Sequence, residues 1–98
     1  MKAQIWNFNK WMQETDAEKL AGEFDKLLLD SGFHVLATCN YFFQPQGFTK
    51  LWLLGESHFA IHTFPEERKT YIELSSCNEL MYNKFVRLLE SLEQSRGA

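Results

Sequence analysis

The sequence predicts an α+β fold, a two-layer sandwich in which an antiparallel sheet carries two helices on one face. Three observations predict it. The hydrophobic patterns run strand, helix, about four strands, helix. The loops between successive strands are short, which antiparallel pairing allows and a parallel crossover does not. Each helical segment has a single apolar stripe, so both helices bury one side only, against the same sheet face. At 98 residues the chain makes one domain, 1–98.

Residues 3–12 alternate in part, with Ile5 and the rings of Trp6, Phe8 and Trp11, and read as a first strand. Thr15 or Asp16 then offers an N-cap, and Leu20, Phe24, Leu27 and Leu28 fall on one helical stripe. Gly32 is the expected left-handed stop, which bounds a helix at 16–31. Residues 33–43 are rich in β-formers without a breaker, and Gln44-Pro45-Gln46-Gly47 is a turn. Lys50–Leu54 and His58–Phe64 read as two strands bent around Gly55-Glu56-Ser57. Pro65–Lys69 is the next turn. Thr70–Cys77 alternates Ile72 and Leu74 against Glu73 and Ser75, as a half-buried strand does. From Glu79 a second helix places Met81, Phe85, Leu88 and Leu92 on its stripe.

Bulk properties exclude several classes. A net charge of −3, with basic residues scattered, leaves no electrostatic footprint for nucleic acid. No run of eighteen apolar residues suggests a membrane span, and the amino terminus has no signal-peptide core, so a cytoplasmic location is expected. Two cysteines, Cys39 and Cys77, are too few for a disulfide framework. Nine Phe, three Trp and three Tyr exceed what a small core hides, and the sheet face away from the helices needs cover, so a homodimer is expected.

The chemistry-bearing residues cluster after residue 48. Along 58–64, His58, Ala60, His62 and Phe64 share one face, and Phe59, Ile61 and Thr63 the other. A hairpin closed by the 65–69 turn pairs 62 near 72 and 57 near 77, which brings Ser57 and Cys77 to one end of the sheet. The spacing of His58, His62 and Cys77 does not make a metal set. Singly, each residue has an ordinary reading: a turn serine, a structural histidine, a cysteine acting as a small hydrophobe.

Together they resemble a known family. Residues 56–66, Glu-Ser-His-Phe-Ala-Ile-His-Thr-Phe-Pro-Glu, resemble the processing-site signature of bacterial and archaeal S-adenosylmethionine decarboxylase proenzymes. In that family Glu-Ser-His precedes Ile-His-Thr-aromatic-Pro-Glu and then a Thr-Cys-Gly-like triplet. Here the triplet is Ser76-Cys77-Asn78, five and twenty residues separate Ser57 from His62 and Cys77, and the resemblance covers 47–78. It implies self-cleavage at Glu56–Ser57 into a β fragment, 1–56, and an α fragment, 57–98, whose first residue becomes a covalent pyruvoyl group. Thr49 would assist processing and His62 would take the proton from the serine Cα. The pyruvoyl group would hold the amine of S-adenosylmethionine as a Schiff base for decarboxylation, with Cys77 as general acid, in a route to spermidine. Glu66 and Phe64 would bind substrate, with Phe42, Phe43 and Trp52 as further rings for the adenine. The resemblance also implies another strand near positions 105–115, past the last residue here. Two alternatives fit the same residues: a pyruvoyl decarboxylase of a basic amino acid, and a non-cleaving homologue that acts as a binding or regulatory partner.

Overall fold

A computed structural model describes residues 3–97. Its elements are β1 (Trp6–Met12), α1 (Ala17–Asp30), β2 (Val35–Phe42), β3 (Phe48–Leu54), β4 (Ser57–Phe64), β5 (Lys69–Ser76) and α2 (Glu79–Gly97). The five strands form one antiparallel sheet in the order β1-β5-β4-β3-β2, and both helices lie on one face, as the patterns predict. None of the described helices is long and apolar enough to cross a membrane.

Helix α1 begins where Asp16 accepts a hydrogen bond from the Lys19 amide at 2.9 Å, and ends at Gly32, whose φ is +96°. Its stripe of Leu20, Phe24, Leu27 and Leu28 is buried throughout. In α2 the deepest residues are Phe85 and Leu89, with Met81, Leu88 and Leu92 packed at the margins. Phe24, Phe59 and Phe85 meet between the layers, Phe59 lying 4.8 Å from Phe24 and 5.3 Å from Phe85 between ring centroids. Trp52, Leu54, Ile61, Ile72 and Leu74 complete the sheet side of the core. Burying such side chains contributes about 1.5–3 kcal/mol each before the entropy of ordering them is subtracted.

The other, open face carries Trp11 from β1, Tyr71 and Glu73 from β5, His58, Ala60, His62 and Phe64 from β4, Thr49, Leu51 and Leu53 from β3, and Cys39 and Tyr41 from β2. Trp11, Leu51, Leu53 and Tyr41 are exposed there, and β2 is exposed along its whole length.

Three local expectations are corrected. The β4–β5 register pairs His62 with Tyr71 and Ser57 with Ser76, one residue short of the expected partners. The cause is a four-residue loop: Pro65–Glu67 make a 3-10 turn, Arg68 takes a left-handed conformation at φ +55°, and Lys69 already pairs with Phe64. The β3–β4 corner contains only Gly55 and Glu56, since Ser57 is the first residue of β4 and pairs with Leu54. Trp52 is wholly buried on the helix side, where its indole N–H donates to Asp25 at 2.7 Å, so it offers no surface to a ligand.

Candidate functional site

The corner between β3 and β4 puts unusual geometry at one peptide bond. Glu56 sits at φ +59°, in the left-handed region that a residue with a Cβ occupies at a cost of about 1–2 kcal/mol. The strain therefore falls on the residue that contributes the carbonyl of the Glu56–Ser57 bond, whereas the glycine beside it does not take a positive φ. Strain of this kind persists only where the surroundings hold it, here the β3 and β4 ladders on either side.

Three groups converge on that bond. The Cys77 thiol, one residue past the end of β5, lies 3.1 Å from the Glu56 carbonyl oxygen and 3.4 Å from the Glu56 carboxylate, so its single proton is shared between them. Burial first, and then the Glu56 carboxylate that accepts its proton, push the thiol above its ordinary pKa. It therefore stays protonated at neutral pH and able to donate. Ser57 is 6% exposed, and its hydroxyl donates to the Ser76 hydroxyl at 2.8 Å. Ser76 in turn accepts from the Asn78 amide at 3.0 Å.

His62 belongs to a second cluster. It shares the open face with Thr49, its partner across the β3–β4 ladder, and the Thr49 hydroxyl lies 2.9 Å from His62 Nδ1. The Tyr71 ring stacks near the imidazole, with centroids 6.4 Å apart, and its hydroxyl donates to Glu73. Trp11 packs between Tyr71 and Phe64, and the Lys69 ammonium lies 4.3 Å from the Trp11 ring centroid. A cleft of about 290 Å³ joins His62 and Thr49 to Phe43, Phe64 and Glu66. The structure thus brings Thr49, His62, Phe64 and Glu66 together. Phe42 lies apart from them, on the helix side of β2 against Phe48.

The two clusters do not meet within one chain. Five residues of strand separate Ser57 from His62, roughly 16 Å at 3.3 Å per residue, and an odd spacing puts them on opposite faces. No group of three His, Cys, Asp or Glu side chains suited to a metal ion occurs among the described residues. Two parts of the arrangement were invisible in the sequence reading: Ser76 as the partner of Ser57, and Tyr71 with Trp11 beside His62. The correct strand register would have exposed both.

The fold and this corner define a class: a small two-layer α+β domain with a left-handed residue at a Glu-Ser bond and a cysteine thiol against that residue's carbonyl oxygen. Comparison with known proteins narrows that class. The family described as S-adenosylmethionine decarboxylase matches residues 4–96, and the chain belongs to it. Relatives include the S-adenosylmethionine decarboxylase proenzyme 2 of Bacillus cereus, 49% identical over 47 residues that span 48% of this chain and 38% of the relative. The S-adenosylmethionine decarboxylase proenzyme of Brevibacillus brevis is 41% identical over 64 residues, 65% of this chain and 48% of the relative. The chain thus spans about half or less of the length of these relatives. The crystal structure of adenosylmethionine decarboxylase from Aquifex aeolicus shares the fold, with a TM-score of 0.66 and 22% identity, covering 89% of this chain and 78% of that one.

Proposed function

We propose that this chain cleaves itself at Glu56–Ser57 and, once cleaved, decarboxylates S-adenosylmethionine for spermidine synthesis in the cytoplasm. The observation that carries the reading is the Cys77 thiol hydrogen-bonded to the carbonyl oxygen of a left-handed Glu56, next to a buried, oriented Ser57 hydroxyl.

The residue chemistry balances. Ser57 Oγ forms a bond to the Glu56 carbonyl carbon, the C–N bond breaks, and the hydroxyl proton ends on the freed Ser57 nitrogen. A donor on the carbonyl oxygen stabilises the charge that builds there, which is where Cys77 lies. Rearrangement also releases the left-handed strain at Glu56. Removal of the Ser57 Cα proton then breaks the Cβ–Oγ bond and frees the Glu56 carboxylate as a new carboxy terminus. Tautomerisation and hydrolysis with loss of ammonia leave a pyruvoyl group at position 57. That group supplies an electron sink for loss of carbon dioxide from a bound amino acid. Cys77, kept protonated by its surroundings, holds the proton that the product carbon needs.

The base for the Cα proton is His62, held by Thr49, and the distance along β4 requires it to come from a second copy. The open face supports that arrangement. Its exposed Leu51, Leu53 and Trp11 favour burial against a partner, and two sheets stacked face to face would set the Thr49–His62 pair of one chain at the Glu56–Ser57 corner of the other. The substrate would lie between, with Phe64 and Glu66 of the cleft toward it.

A mixing experiment tests this reading. Ser57→Ala and His62→Ala chains, unfolded and refolded together, should yield cleaved His62→Ala chain and carbon dioxide from carboxyl-labelled S-adenosylmethionine, while neither variant alone does either. Cleavage of His62→Ala alone at the wild-type rate contradicts the shared site. Wild-type chain that stays whole and releases no carbon dioxide supports the non-cleaving alternative instead.

A further inference from the structure

We propose that Ser76 is a positioning residue for self-cleavage, holding the Ser57 hydroxyl for attack on the Glu56 carbonyl; the proposal rests on the processing reading above and names a component of it. Ser57 and Ser76 stand directly opposite each other in the β4–β5 register, and both turn toward the helix layer. Among the described residues, Ser76 is the only side chain hydrogen-bonded to Ser57, at 2.8 Å. The imidazoles of His58 and His62 are on the other face, so neither orients this hydroxyl from within the chain.

Ser76 is itself immobilised. It is fully buried, it accepts from the Asn78 amide at 3.0 Å, and its own hydroxyl is aimed at the Asn78 carbonyl at 3.4 Å. Asn78 is anchored in turn, because its side chain accepts from the Met81 amide at 3.0 Å and so caps α2. A continuous chain of contacts therefore runs from the start of α2 through Asn78 and Ser76 to the nucleophile. With the Ser57 proton directed to Ser76, the lone pairs of Ser57 Oγ are free of it and available to the carbonyl carbon one bond back along the chain. The proton still ends on the Ser57 nitrogen, so Ser76 changes the orientation of the attack and not its balance. An ångström of misplacement at a reacting pair costs about 100-fold in rate, and loss of the Ser76 hydroxyl leaves the Ser57 rotamer without its side-chain restraint.

The test follows fragment formation by intact mass in wild type, Ser76→Ala, Ser76→Thr and Ser76→Cys, each with and without hydroxylamine, which cleaves the ester as it forms. Ser76→Ala should form fragments about 100-fold more slowly in both conditions, and Ser76→Thr, which keeps the hydroxyl, should return to within a few-fold of wild type. Ser76→Cys keeps the volume but bonds weakly; it should be slow while melting near wild type, and it carries the test if Ser76→Ala fails to fold. A role in packing alone would let Ser76→Cys cleave normally, and that result overturns the proposal. So does a Ser76→Ala chain that cleaves normally with hydroxylamine but not without it, because Ser76 would then act after the ester. If wild type cleaves and every variant matches it, only the Ser76 proposal fails. If wild type itself does not cleave with hydroxylamine, the processing reading fails and takes this one with it.

Discussion

Glu56 offers a quantitative check on the strained corner. An L-residue at φ +59° carries about 1–2 kcal/mol of steric cost that glycine does not. Glycine gives back about 0.5–1 kcal/mol through the extra freedom of its unfolded chain. Glu56→Gly should therefore exceed Glu56→Ala in stability by about 0.5–1 kcal/mol, the comparison with alanine cancelling the loss of the carboxylate near Cys77. In a domain of this size each kcal/mol moves the midpoint by about 4–8 °C, so the glycine variant should melt about 2–8 °C higher. Both substitutions are placed on a Ser57→Ala background, which keeps the chain whole, and unfolding is followed by circular dichroism. With Ser57 restored, relief of about 1–2 kcal/mol of native-state strain, without the unfolded-chain offset, should slow fragment formation in Glu56→Gly by about 5–30-fold relative to Glu56→Ala. An alanine variant as stable as the glycine variant would refute the claim that strain is stored at this bond.

Other expectations follow from single contacts. With Cys39→Ser leaving one thiol, alkylation of Cys77 by iodoacetamide should titrate above an ordinary thiol, and Glu56→Gln should move the profile down and raise the rate severalfold at pH 8, because it removes the carboxylate but not the burial. Asn78→Ala should lower stability by about 1 kcal/mol through loss of the α2 cap, read as a lower melting midpoint in the uncleavable background. Glu14 accepts from the Asp16 amide, pairs with Lys19 and accepts from the Thr15 amide, contacts that in that order hold its pKa below the ordinary carboxylate value. Its stabilising effect is present above that ordinary value and fades as pH falls through the lowered one, so Glu14→Gln should flatten the acid limb of the stability curve.

Most of the architecture was legible because burial has a period. The stripe Leu20, Phe24, Leu27 and Leu28 marks α1 at 3.6 residues per turn, and the alternation of Ile72 and Leu74 with Glu73 and Ser75 marks the two faces of β5. The separation of Phe59, Ile61 and Thr63 from His58, His62 and Phe64 came from the same period of two. Register was less legible, because it depends on loop length. Counting Lys69 as turn rather than strand shifts every β4–β5 partner by one, and it hid both the Ser57–Ser76 bond and the Tyr71 ring opposite His62. Trp52 misled for a different reason: an aromatic in a strand fits either face, and its buried place depends on Asp25 of α1 receiving the indole N–H.

The structure divides the candidate site that the family's signature marks. Glu56, Ser57 and Cys77 form one part, while Thr49, His62, Phe64 and Glu66 form another roughly 16 Å along β4. Under the proposed function, this division makes pairing of two chains part of the chemistry and not only a way to cover apolar surface.

An intact-mass spectrum of the purified protein tests the central claim most directly. The account predicts two species, residues 1–56 ending in a free Glu56 carboxylate and residues 57–98 beginning with a pyruvoyl group in place of Ser57. A single full-length species that persists through prolonged incubation with hydroxylamine would contradict it.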